Sequence, residues 1–82
     1  METKYQTLTI SIYDRDLSYK SVSELLHSFA DKIVLRTGYP IPDKNAAIIF
    51  LILQMTNDEL GALSGKLGLI KSVKVKATTL NL

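Results

Sequence analysis

The sequence predicts an α+β fold, a four-stranded antiparallel sheet with two helices on one face, in the order strand, helix, strand, strand, helix, strand. Three observations predict it. Apolar and polar residues alternate near both ends of the chain, two intervening segments repeat apolar residues every three or four positions, and a central run is apolar on both faces. The chain has 82 residues, 46% hydrophobic and 22% charged, with no cysteine. That length holds one domain, residues 1–82, with a marginal core that disulfides cannot reinforce, so oligomerisation is the expected remedy.

The first strand is read over Gln6 to Asp14. Leu8, Ile10 and Ile12 point one way, and Thr7, Thr9, Ser11 and Tyr13 the other. The polar cluster Asp14-Arg15-Asp16 ends it. Tyr19, Val22, Leu25, Leu26 and Phe29 then follow helical spacing, with Lys20, Glu24, His27 and Asp31 on the wet side. Asp16 or Ser18 supplies the N-cap.

Lys32 to Tyr39 reads as the second strand, broken by Gly38-Tyr39-Pro40-Ile41-Pro42 and the polar turn Asp43-Lys44-Asn45. The third strand, Ala46 to Met55, carries Ile48, Phe50 and Ile52 on one face and Ile49, Leu51 and Leu53 on the other. A strand apolar on both faces is covered on both, and the helices of so small a domain cover only one. Asn57 is the expected N-cap of the second helix, with Asp58 and Glu59 in its first turn and Leu60, Leu63, Leu67 and Ile70 as its core stripe. Val73 and Val75 open a last strand running towards Leu80.

This is the ferredoxin-like βαββαβ plan, with the first and third strands central. The open face of its sheet, or an edge beside it, is the expected self-association surface.

Several function classes fall away. Ten Lys and Arg against eight Asp and Glu leave a net charge of only +2. The basic residues are scattered apart from Lys71, Lys74 and Lys76, so nucleic acid is not an expected partner. No apolar run approaches the roughly 20 residues of a membrane span, and the N-terminus has no signal-peptide pattern, so a cytoplasmic protein is expected. Gly61-Ala62-Leu63-Ser64-Gly65-Lys66-Leu67 has one spacer too few for a phosphate loop and lies inside a helix.

Gly61, Gly65 and Gly68 instead line one side of that helix, which suits close packing against the other helix or a partner subunit. His27 is the sole histidine, so no nitrogen- or sulfur-rich metal site forms within one chain and no metal or other cofactor is expected. A site shared between subunits would join it to Asp31 or Glu24. No nucleophile turn or oxyanion loop accompanies the Ser, His and Asp residues, so no enzyme is expected. Asp14, Arg15 and Asp16 sit where a strand meets a helix N-terminus, a place that favours an anion.

Leu8-Thr9-Ile10 with Asp14-Arg15, Glu24-Leu25-Leu26-His27-Ser28-Phe29, Arg36-Thr37-Gly38-Tyr39-Pro40, Asn45-Ala46-Ala47-Ile48-Ile49-Phe50-Leu51, Asn57-Asp58 and the stretch from Gly61 to Gly68 together resemble the iron-only hydrogenase system regulator family. That family is related to ACT domains and to the C-terminal domain of nickel-responsive repressors. The resemblance implies a non-catalytic, ACT-like regulatory module. Such a module forms a homo-oligomer, dimer or tetramer, and binds a small-molecule effector or a partner protein of the hydrogenase system at a subunit interface. By analogy with ACT domains, it assigns ligand binding to Asp14, Arg15 and Asp16, joined by Arg36, Tyr39 and Asn45.

The repressor comparison would imply metal, but its His and Cys ligand set is absent. A metal-responsive sensor using an intersubunit site and a DNA-binding transcriptional regulator are the alternatives. Where many ACT-like chains have glycine before the last strand, this one has Lys71-Ser72, which leaves the geometry of that turn open.

Overall fold

The computed structural model describes residues 2–82. Strand β1 (Lys4–Ile12) leads to helix α1 (Arg15–His27), a 3₁₀ turn at Ala30–Lys32, strand β2 (Ile33–Ile41), a second 3₁₀ turn at Pro42–Lys44, strand β3 (Ala46–Met55), helix α2 (Asn57–Gly68) and strand β4 (Val73–Thr79). The sheet has the order β2-β3-β1-β4 with every pairing antiparallel. This is the expected α+β ferredoxin-like arrangement, with β1 and β3 in the centre.

Both helices lie over one side of the sheet. Leu8, Ile10 and Ile12 of β1 meet Ala47, Ile49, Leu51, Leu53 and Met55 of β3 beneath Val22, Leu26, Leu63 and Leu67. Burying each of these large side chains stabilises the fold by about 1.5–3 kcal/mol. Gln6 is also fully buried on this side; its side-chain amide donates to the Met55 carbonyl at 3.0 Å.

Local departures from the expected elements have local causes. The N-cap of α1 is Asp14, whose carboxylate accepts from the Leu17 N–H, rather than Asp16 or Ser18. Asp16 sits in the first turn, and Ser18 is buried with its hydroxyl donating to the Lys71 carbonyl. The N-cap of α2 is Thr56, not Asn57: Thr56 and Glu59 form a reciprocal capping box. That pair satisfies two orphan N–H groups where Asn57 as cap would satisfy one.

Strand β2 does not break at Gly38. It runs on through Pro40, paired with Ala47, to Ile41. As the edge strand it has an outer side that needs no N–H donor, so the proline is tolerated. A register shift between Ile33 and Leu35 puts Ile33 opposite Leu53 and Leu35 opposite Ile52. One extra residue thus carries Ile33 towards the core and Leu35 to the other face.

That other face is bare. Across β2, β3, β1 and β4 the pairing sets three rows on it: Leu35, Ile52, Thr7, Thr78; Thr37, Phe50, Thr9, Lys76; and Tyr39, Ile48, Ser11, Lys74. None of these residues is acidic. Ile48 and Phe50 remain 40% and 36% exposed at the middle of the sheet, and Tyr39 is 70% exposed at its edge. No helix among the described residues is long and apolar enough to cross a membrane.

Candidate functional site

Residues distant in sequence converge on the loop between β1 and α1. Two of them, Asn45 (φ 50°) and Ser72 (φ 62°), hold left-handed backbone although neither is glycine. That conformation costs an ordinary L-residue about 1–2 kcal/mol, least for asparagine and aspartate. Here it aims each residue at the loop. The Tyr13 N–H donates to the Ser72 carbonyl at 2.8 Å and the Asp14 N–H to Ser72 Oγ at 3.2 Å. The Arg15 N–H donates to the Asn45 carbonyl at 2.7 Å and the Asp16 N–H to Asn45 Oδ1 at 3.3 Å. Asn45 Nδ2 donates in turn to Asp14 Oδ1 at 2.9 Å.

With Leu17 and Ser18 bonding back to Asp14, each backbone N–H from Tyr13 to Ser18 has an acceptor within the chain. The left-handed turn before β4 is kept by Ser72, a serine rather than a glycine. Its hydroxyl lies 2.9 Å from that of Ser18.

The six residues assigned by resemblance divide into three groups. Asp14 and Asn45 are bonded to each other, and Asp16 meets the same asparagine through its backbone. Arg15 and Tyr39 share the lining of a cavity of about 340 Å³, together with Tyr19, Gly38 and Pro40, between the start of α1 and strand β2. The Arg15 guanidinium lies 4.9 Å from the centre of the Tyr19 ring, a cation–π contact. Arg36 stands apart, with Nη2 donating to Ser23 Oγ of α1 at 3.3 Å.

In this arrangement an anion at the loop would be held by the Arg15 side chain rather than by helix N–H groups. Ser18, read from the sequence as a cap, and Ser72, read only as leaving its turn open, instead shape the loop. The serine in place of glycine before the last strand was the signal for one of them. A cavity of about 450 Å³ lies between the chain ends and is lined by residues from Glu2 to Tyr5 and Leu80 to Leu82, away from all six.

Among the described residues no three His, Asp or Glu side chains converge in a way that would hold a metal ion. His27 ends α1 in an exposed position. Gly61, Gly65 and Gly68 have open space where a Cβ would stand, so they are not packed against α1.

Comparison with known proteins now adds to this geometry. Residues 4–77 match a family model described as "TM1266-like: Iron-only hydrogenase system regulator, putative". The chain is similar to a solved structure of the uncharacterized protein TM1266 from Thermotoga maritima, at 51% identity and a TM-score of 0.93, covering 98% of this chain and 100% of that one. It also resembles the solution structure of the C-terminal domain of the MgtC protein from Mycobacterium tuberculosis, at 18% identity and a TM-score of 0.60, covering 94% and 88% of the two chains. That second likeness speaks to the fold alone. A search of curated proteins finds no match.

Proposed function

The chain belongs to the TM1266-like family of iron-only hydrogenase system regulators, and from that membership we propose that it is a non-catalytic regulatory module. It self-associates through the open face of its sheet and binds a small effector or partner protein at the resulting subunit interface. The observation that carries this reading is the face itself. It is apolar along β3, carries Leu35 and Tyr39 on either side of Thr37 along β2, is cationic only along the outer strand β4, and is free of acidic residues in its three rows.

A second copy related by a two-fold axis near β3 lays apolar rows on apolar rows and leaves Lys74 and Lys76 at the rim, the usual anatomy of a protein interface. Leu35, Ile48 and Phe50 are already half-buried, so covering them contributes on the order of 1 kcal/mol each. The effector cavity in this reading is the one beside Arg15 and Tyr39, whose guanidinium suits a carboxylate. Asp14 and Asn45 fix the shape of the adjoining loop.

Sedimentation tests the association. The wild-type chain is expected to form an oligomer at micromolar concentration, and Phe50→Gln to weaken it by about tenfold to a hundredfold while leaving the fold intact. A wild-type monomer under those conditions would sink the reading. For the effector, thermal unfolding with a panel of amino acids is expected to show a rise in Tm that Arg15→Ala abolishes. A rise that survives Arg15→Ala would move the effector out of this cavity.

A further inference from the structure

At the end of the open face a third cavity, of about 260 Å³, lies between the tip of β1 and the β2–β3 turn. Ile41, Ala46 and Ile48 give it an apolar surface, Ser11 and Tyr13 bring hydroxyls, and Lys44 brings a cation. No carboxylate lines it. The nearest acidic chain neighbour of Tyr13, Asp14, already accepts from Asn45 Nδ2 and the Leu17 N–H. Lys74 Nζ lies 5.6 Å from the centre of the Tyr13 ring, so positive charge also stands beside the aromatic wall.

Small-molecule sites combine mostly apolar walls with a few polar groups that fix orientation, and this volume is just under the range typical of drug-sized ligands. We propose that the cavity binds a small aromatic carboxylate, its ring against Ile41 and Ile48 beside Tyr13 and its carboxylate on the Lys44 ammonium. The charge argument selects the anion. Lys44 lines the cavity and no acidic residue does, Asp43 of the same turn lying outside the lining, so the ammonium favours a carboxylate over a neutral ring. The size argument selects one ring rather than a nucleotide. The lining comes from one protomer and is separate from the Arg15 cavity, but Ser11 and Ile48 also belong to the open face, so the ligand and a second copy compete for them.

Amide NMR titration of the full chain with phenylacetate, and with phenylacetamide as its neutral counterpart, tests this. Phenylacetate is expected to shift the signals of Ser11, Tyr13, Lys44, Ala46 and Ile48 saturably, with a dissociation constant in the millimolar range. Phenylacetamide on the wild type, and phenylacetate on Lys44→Gln, are each expected to bind about fivefold more weakly. The same titration on Phe50→Gln, which weakens association through the open face, is expected to give an affinity no lower than that of the wild type. The proposal is overturned by no saturable shift up to about 10 mM, by equal binding of acid and amide, or by shifts that centre on Arg15 and Tyr39 instead.

Discussion

Asn45 and Ser72 each accept an unfavourable backbone conformation and recover it through hydrogen bonds to one loop. Asn45 both donates to Asp14 Oδ1 and accepts from the Asp16 N–H, so only a side chain with both functions fits. Asn45→Asp keeps the acceptor and loses the donor, and sets a second carboxylate against Asp14. We expect a loss of about 1–3 kcal/mol at neutral pH, seen as a lower midpoint in urea unfolding. Part of the loss is regained at pH 4, where the introduced carboxylate takes up a proton. Equal loss at both pH values would show that repulsion between the two groups is not the cause. The sequence offered Asp16 or Ser18 as the cap of α1. Asn45, 31 positions from Asp14, and Ser72, 58 positions away, decided for Asp14, and nothing local in the sequence encodes those partners.

Helix α2 shows how an element's ends and faces set its stability. The Thr56 N–H donates to Glu59 Oε1 at 2.8 Å, and Lys32 Nζ sits 3.3 Å from Oε2. The backbone donor above all, assisted by the Lys32 and Thr56 side chains, holds the Glu59 carboxyl below its ordinary pKa of 4.5 despite partial desolvation. A lowered folded-state pKa means that ionised Glu59 stabilises the native state at pH above 4.5, and that this contribution is lost as pH falls through the folded value. Glu59→Gln is expected to flatten the fall in Tm over that acidic range, as measured by thermal unfolding across pH. An unchanged slope would remove Glu59 from the acid response.

On the opposite side of the same helix, a Cβ at Gly65 would meet nothing within 4 Å. Gly65→Ala is therefore expected to stabilise the chain by about 1 kcal/mol, raising Tm by about 4–8 °C. A fall in Tm would mean that a partner packs against that glycine face. The spacing of Gly61, Gly65 and Gly68 was legible as a face, but whether anything touches it depends on where α1 lies. Strand β2 was legible only as far as Tyr39, because Pro40 ends a central strand and not an edge strand, and edge position is a property of the sheet.

At the scale of the whole molecule, the core of this short chain is one-sided. The helices cover Ile49, Leu51 and Leu53, and leave Ile48 and Phe50 of the same strand part-exposed. In the proposed assembly a second copy covers them, and stability then depends on protein concentration. Tm of the wild type is expected to rise with concentration and that of Phe50→Gln to stay nearly flat, as linkage between folding and association requires. A concentration-independent wild-type Tm would count against association through this face.

The sequence by itself determined the element order, the central place of β1 and β3, the residues of the core and the family. All of these rest on periodicity or on stretches of neighbouring residues, which one strand or helix displays without help from the rest. Tertiary structure decided which of the Asp14–Ser18 residues caps α1, that Ser72 stands in left-handed backbone, that Pro40 lies within a strand, and that Arg15 and Tyr39 share a cavity while Arg36 turns to Ser23. Each of these is a meeting of residues far apart in the chain. Their closeness is set by how the sheet pairs and how the helices lie on it, and pairing leaves only its alternation, never its partners, in the sequence.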